Sequence, residues 1–281
     1  MQCNSADRKS VCLTNLRPIF VIGCCNSGTT LMWKTLLRNP GVSGPDIEGQ
    51  AIEGLPKYLT HFIGRETFRL FAHPKFHEAY YLTENDTSEL ARQEVFNVYS
   101  KYFIEGTRFI EKSPANSVRM RFLQATFPNA QFVVIIRNGV AVAEGIRRKR
   151  WFDPERPHLS GQETTIEQSA EQWLYANKTI LNDLAYIKSF RIIRYEKFVE
   201  NPTAVMNNLY SFLSLPKITI DTSSFRIDDN EKQIARLKES EILSIYSIQG
   251  KLLQQLGYRS AFPKQLVDRT NSVSTYSEAL A

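Results

Sequence analysis

Gly23-Cys24-Cys25-Asn26-Ser27-Gly28-Thr29-Thr30 follows the apolar run Pro18-Ile19-Phe20-Val21-Ile22 and leads into Leu31 to Arg38. The octet fits G-x-x-x-x-G-K-[ST] at every position but one, because Thr29 stands where nucleoside-triphosphate enzymes carry lysine. The lead-in is strand-like. The run that follows is helix-like and stops ahead of Asn39-Pro40, since the residue before a proline avoids the helical region. A strand, a glycine loop and a helix N-terminus in that order aim backbone N–H groups and a positive dipole end at an anion. The stretch predicts a site for a phosphate-like group.

Working outward, β-rich runs alternate with longer amphipathic ones. Strands are predicted at Ile19–Ile22, Arg108–Glu111, Phe132–Ile136 and Arg191–Tyr195. Helices are predicted at about Leu31–Leu37, Ser88–Phe103, Ser117–Phe127, Ala141–Arg150, Ile166–Ile187, Ala204–Phe212 and Glu241–Leu256. Asn201 reads as an N-cap with Pro202 in the first turn, and Gly257 as a left-handed C-cap. Phe132-Val133-Val134-Ile135-Ile136 is continuously apolar, as a strand covered on both faces must be. This alternation predicts an α/β fold with a central parallel sheet flanked by helices. One domain is expected over residues 1–262, with its core from about residue 17 and a polar tail at 263–281.

Hydrophobic residues make up 42% of the 281, enough for a sizeable core, so a globally disordered chain is excluded. The net charge of +6 suits a small polyanionic ligand and equally an ordinary solvated surface. Basic residues are not interleaved with aromatics in any one stretch, which argues against nucleic acid. The four cysteines, Cys3, Cys12, Cys24 and Cys25, form neither a disulfide framework nor a metal-ligand spacing, so a reduced, cytoplasmic chain is expected. No apolar run reaches the length of a membrane span, and no membrane partner is expected.

Three further segments carry chemistry. Arg137-Asn138-Gly139 closes the apolar strand and opens a helix, the place where open α/β sheets bind ligands. A guanidinium there suits bidentate contact with phosphate. The downstream Arg147-Arg148-Lys149-Arg150 reads equally as a solvated helix end. Glu111-Lys112-Ser113-Pro114 ends a second strand, where Lys112 could balance charge on a transferring group. Arg194-Tyr195-Glu196-Lys197-Phe198, running to Pro202, closes a third.

Together these segments resemble the PAPS-dependent sulfotransferases, which move a sulfuryl group from 3′-phosphoadenosine 5′-phosphosulfate (PAPS) to an acceptor. Asn26-Ser27-Gly28-Thr29-Thr30 is similar to the family's (K/R)-S-G-T-T loop, which holds the 5′-phosphosulfate; Cys25 precedes it. Arg137-Asn138-Gly139 resembles the motif whose arginine binds the 3′-phosphate, with Lys149 spaced as in the tyrosylprotein branch. Arg194 to Pro202 resembles R-Y-E-D-L-x-x-x-P, whose tyrosine, Tyr195 here, lies near the adenine. Lys112-Ser113-Pro114 resembles a K-[TSD]-P element beside the reacting sulfate, and Leu256-Gly257-Tyr258 the closing L-G-Y. The resemblance runs from about residue 17 to 259. Two positions depart from it: Asn26 stands where relatives carry a cation, and Gly145 where a serine usually helps bind the 3′-phosphate.

The resemblance implies a P-loop-like α/β fold with a helical acceptor-side insertion over about 54 to 105. It implies a cytoplasmic enzyme, PAPS as donor with 3′,5′-ADP as product, and no metal. Similarity to the tyrosylprotein branch admits a protein tyrosine as acceptor, but with no secretory signal read in the sequence the expected acceptor is a small molecule of secondary metabolism bearing a hydroxyl or amine. Asn26 and Lys112 would act on the transferring group. The base is expected in Gly41 to Gln50 at Glu48, with Glu53 next and His61, His73, His77 and His158 behind. Trp33 and Trp173 are expected to pack in the core. Two rivals predict other features. A P-loop kinase needs a loop lysine and a magnesium-binding carboxylate. A catalytically weak nucleotide-binding scaffold would be consistent with Asn26 and Gly145.

Overall fold

Phe132, Val133, Val134, Ile135 and Ile136 are buried to within 1% exposure, so their strand requires cover on both faces. A computed structural model describes residues 16–60, 71, 77–148 and 165–258 and shows how that cover is made. In chain order the elements begin with β1 (Ile19–Ile22), α1 (Thr29–Leu37), β2 (Val42–Ser43), α2 (Lys57–Thr60), α3 (His77–Tyr80) and α4 (Glu89–Tyr99). Next come β3 (Arg108–Lys112), α5 (Met120–Thr126), β4 (Gln131–Ile136), α6 (Gly139–Arg148) and α7 (Ile166–Asp183). The chain closes with β5 (Phe190–Arg194), α8 (Tyr195–Glu200), α9 (Pro202–Leu213), α10 (Asp229–Ile234) and α11 (Glu239–Gln255).

The five strands pair in the order β2-β3-β1-β4-β5, all parallel. Alternation along the strands divides the core. Phe20, Ile22, Phe132, Val134 and Ile136 face one side with residues of α4 to α7 and α11, Trp173 among them. Ile19, Val21, Ile110, Val133 and Ile135 face the other with residues of α1, α8 and α9, Trp33 among them. Each such side chain contributes about 1.5–3 kcal/mol on burial. Both tryptophans pack in the core as expected, at 2% and 0% exposure. Chain order departs from β1 in both directions, to β2 and β3 on one side and to β4 and β5 on the other. A crevice at the carboxyl ends of the strands beside β1 follows from that reversal.

The caps read from sequence are present. Asn201 Oδ1 accepts from Ala204 N at 3.2 Å, and Gly257 takes φ 75°. Several boundaries differ. Tyr195 opens α8 instead of ending β5. The predicted helices at Ser88–Phe103 and Ile166–Ile187 each include a flanking 3₁₀ turn, at 100–102 and 184–186, and that at Ser117–Phe127 overlaps the end of one at 114–118. β2, α8 and α10 were not predicted; they are short, and α10 carries one apolar residue, Ile234. Lys149, Arg150, His61, His73, His158, Cys3, Cys12 and the tail at 263–281 lie outside the described residues. Among the described residues no helix is long and apolar enough to cross a membrane.

Candidate functional site

The loop after β1 is built by local rules. Ser27 N donates to Cys24 O at 3.1 Å, closing the turn. Gly28, at φ 92°, caps α1 and places its carbonyl to accept from Met32 N at 3.1 Å. A Cβ at Gly28 would lie 2.7 Å from Tyr195 Cε2, so no larger residue fits beneath that ring. Asn26 sits at φ 64°, in the left-handed region that asparagine enters far more readily than a long cationic side chain. Loop geometry therefore gives a physical reason for the amide at this position. Cys24 turns inward, its thiol 3.8 Å from the Gln172 carbonyl, while Cys25 is half-buried. Thr29 is buried and Thr30 exposed. Ser27 is fully buried, and its Oγ has no hydrogen-bond partner among the described residues. An unpaired buried hydroxyl at a helix N-terminus fits a phosphate-like oxygen.

Two buried cations flank this loop. On the β3 side, Lys112 pairs with Val21 in register and is 1% exposed. Its Nζ donates to Glu48 Oε1 and lies 5.7 Å from the Trp33 ring centroid. Glu48 is 39% exposed, so the pair has a buried and a solvent-facing end. Its Oε2 accepts from Gln50 Nε2 at 2.6 Å, and Gln50 Oε1 accepts from Ser113 Oγ at 2.8 Å. Glu48 and Lys112, chosen separately from sequence, thus come together, while Glu53 is exposed. The backbone of His77 lies in α3.

On the β4 side, Arg137 is 5% exposed. It donates from Nη1 to Asn26 O at 2.8 Å, from Nε to Asn230 Oδ1 at 2.7 Å and from Nη2 to Gln233 Oε1 at 2.5 Å. Its guanidinium carbon lies 4.1 Å over the Tyr195 ring. Trp173 Nε1 donates to the Arg137 carbonyl at 3.0 Å and fixes its backbone. Gly145, one turn before the end of α6, faces Gln233 and Asn26. Arg147 pairs with Glu241 of α11 in a half-buried contact and Arg148 Nε with the buried Glu144 at 3.0 Å, so the first is held between helices and only Arg148 is a solvent-exposed helix-end cation.

Glu196, Asn230, Gln233 and Glu111 were not singled out from sequence. Glu196 Oε1 accepts from Asn138 N at 2.9 Å and Asn230 Nδ2 at 2.7 Å, and its Oε2 accepts from Tyr258 OH at 3.1 Å. It therefore joins the Arg194 segment, the Arg137 segment and Leu256-Gly257-Tyr258. Its place inside the R-Y-E string was the available signal. Asn230 and Gln233 gave none, since nothing in sequence brings α10 to Arg137.

Glu111 is fully buried beneath Gly49, with Oε2 accepting from Asn116 Nδ2 at 2.5 Å and Oε1 unpartnered among the described residues. Burial is the main influence and pushes its carboxyl up to about 8, with Glu48 adding and Lys112, Asn116 and Arg119 opposing. A raised carboxyl favours the fold in its protonated form. That stability is complete below the unfolded value, near 4.5, and is lost as pH rises through about 8. Glu111→Gln is expected to flatten the fall in denaturation free energy between about pH 4.5 and 8, which for a shift from 4.5 to about 8 is about 5 kcal/mol at most. Parallel pH curves for variant and wild type, from urea titrations, would show that Glu111 ionises freely.

A model described as the sulfotransferase family matches residues 18–219. Over 204 residues the chain is 26% identical to a protein-tyrosine sulfotransferase of Drosophila melanogaster, covering 70% of this chain and 38% of that protein. It thus spans well under half of that relative's length. Among solved structures it resembles a sulfotransferase domain from the curacin biosynthetic pathway, with TM-score 0.55 and 17% identity over 85% of this chain and 98% of that one. A sulfotransferase domain from the Synechococcus PCC 7002 olefin synthase gives TM-score 0.53 and 17% identity over 85% and 95%. A Mycobacterium avium sulfotransferase gives 0.53 and 12% over 89% and 79%. At these identities the structural likeness speaks to the fold alone: it is the P-loop-like sulfotransferase fold.

Proposed function

The chain belongs to the sulfotransferase family, and from that premise we propose that it transfers a sulfuryl group from PAPS to a hydroxyl or amine of a small-molecule acceptor. The observation that carries the reading is the charge arrangement at the β1 loop. An anion-binding turn with an unpaired buried Ser27 hydroxyl lies between two buried cations, Lys112 and Arg137. When bound, PAPS supplies a sulfuryl group already attached to a phosphate leaving group.

In this reading Cys25, Asn26, Ser27, Gly28, Thr29 and Thr30 cradle the 5′-phosphosulfate. Arg137 holds the 3′-phosphate with Lys149 and the surface at Gly145, while Tyr195 backs Arg137 and borders the adenine. Lys112, with Asn26, offsets negative charge on the transferring and leaving oxygens. Glu48 takes the acceptor's proton on a carboxylate oxygen as the nucleophile attacks in line. The contribution is positioning and preorganised charge rather than a covalent intermediate or a metal. A metabolite is the first acceptor reading; two of the fold neighbours are named for a biosynthetic pathway and a synthase. A protein tyrosine is the second acceptor reading, supported by the Drosophila relative.

Calorimetry with 3′,5′-ADP and with ATP tests the donor. Binding of 3′,5′-ADP with ATP much weaker is expected. Tight ATP binding and silence toward 3′,5′-ADP would sink the proposal in favour of a kinase. Turnover of labelled PAPS against phenols, alcohols, amines and tyrosine peptides then separates the acceptor classes. Binding with no turnover of any of them would favour the scaffold alternative.

A further inference from the structure

We infer that the side-chain amide of Gln233 on α10 takes the place of the missing serine hydroxyl at position 145 and donates to the 3′-phosphate of the donor nucleotide. The inference rests on the donor reading above and names a residue within it. Gln233 is 8% exposed, and its Oε1 accepts from Arg137 Nη2 at 2.5 Å. Arginine only donates, so this contact fixes which end of the amide faces it. Nε2 must therefore point away from Arg137. It does so toward Gly145, where a Cβ would lie only 2.6 Å from it. The amide nitrogen thus occupies the space that a serine side chain at 145 would fill. No described residue accepts a hydrogen bond from Nε2. A donor without a partner, on a side chain that is largely buried beside a buried guanidinium, suits an anionic oxygen.

The neighbours hold this arrangement in place. Asn230, one turn earlier on α10, is fixed between Arg137 and Glu196 by hydrogen bonds of 2.7 Å each. Asp229 Oδ2 accepts from Tyr195 OH at 3.4 Å. Arg236, just beyond the helix, reaches Glu144 of α6 at 3.5 Å. Gly145 is required by the same geometry, since any larger residue there would displace Gln233. The glycine and the glutamine therefore form one exchange: a hydroxyl donor is lost from α6 and an amide donor gained from α10.

Calorimetry on the full chain with 3′,5′-ADP and with 5′-AMP, which lacks the 3′-phosphate, tests the assignment. Gln233→Ala is expected to weaken 3′,5′-ADP about 10- to 100-fold while leaving 5′-AMP within about twofold. Gln233→Glu, which can still accept from Arg137 but no longer donates, should lose at least as much at unchanged melting temperature. Gly145→Ser alone should also weaken 3′,5′-ADP, because the new side chain meets Gln233. The double variant Gln233→Ala/Gly145→Ser should recover most of the loss. Tighter 3′,5′-ADP binding in Gln233→Ala would overturn the inference and make the amide a plug. Equal losses for both nucleotides, no change for either, or no recovery in the double variant would also overturn it. If the wild-type chain takes no 3′,5′-ADP, the donor reading itself falls.

Discussion

Replacing Lys112 with methionine is expected to lower turnover about 100- to 1,000-fold, the range for removing one preorganised charge-stabilising donor. Affinity for 3′,5′-ADP should change far less, because that product lacks the sulfuryl group. The residue is built for such a role at some cost. An ammonium at 1% exposure forgoes hydration, and Glu48 with the Trp33 face replaces it only in part. Methionine keeps the length up to the lysine Cε and removes the ammonium, so the space left in the core around β3 is only that of the Nζ group. Its partner is left at the exposed end of the pair, where Glu48 can be hydrated. Glu48→Gln tests the other half and should cost about 100-fold or more if the carboxylate is the base. Because the two groups touch, the double variant should lose little more than the worse single one. Fully multiplicative losses would mean that the groups act independently. Unchanged turnover in Lys112→Met would remove lysine from the chemistry. Unchanged turnover in Glu48→Gln would move the base elsewhere.

The parts of this site that were legible in sequence are those encoded locally. A β-run, a glycine turn and a helix start occupy consecutive positions, and the same holds for the strand-end arginine before Asn138. The continuously apolar Phe132 to Ile136 shows two-sided burial without reference to any partner. β2 was not legible because its residues, Val42 and Ser43, join the sheet edge only through pairing with β3, which a local pattern does not contain. Tyr195 continues the apolar rhythm of β5, so nothing before it announces the helix it opens. Glu48 and Lys112 are 64 positions apart, Glu48 chosen by resemblance and Lys112 by its strand-end position as well; their contact comes from the folding of the segment after β2 onto β3. Gln233 lies 96 positions from Arg137 on a mostly polar one-and-a-half-turn helix and had no signal at all. Asn26 shows the converse. Sequence comparison makes it a missing cation, whereas its φ of 64° makes asparagine the locally favoured residue.

Arg137→Ala should weaken 3′,5′-ADP about 100-fold or more while weakening 5′-AMP much less. Loss of a charge-assisted contact with a phosphate accounts for about 1.5–3 kcal/mol per bond, and a guanidinium can make two. The same side chain also holds the site together. Truncation leaves the Asn26 carbonyl, Asn230 Oδ1 and Gln233 Oε1 without their donor and uncovers the Tyr195 ring. A drop in melting temperature is therefore expected in the alanine variant, and it does not by itself report on the ligand. Arg137→Lys separates the two contributions. Lysine retains the charge but lacks the planar fork, so it can satisfy the loop carbonyl or the α10 amides but not all three at once. It should melt closer to wild type and still lose about tenfold in 3′,5′-ADP affinity, with 5′-AMP nearly unchanged. Equal losses for both nucleotides in the lysine variant would mean that Arg137 shapes the loop without touching the 3′-phosphate. The cation on the β4 side would then be structural, and the 3′-phosphate would have to be sought along α6.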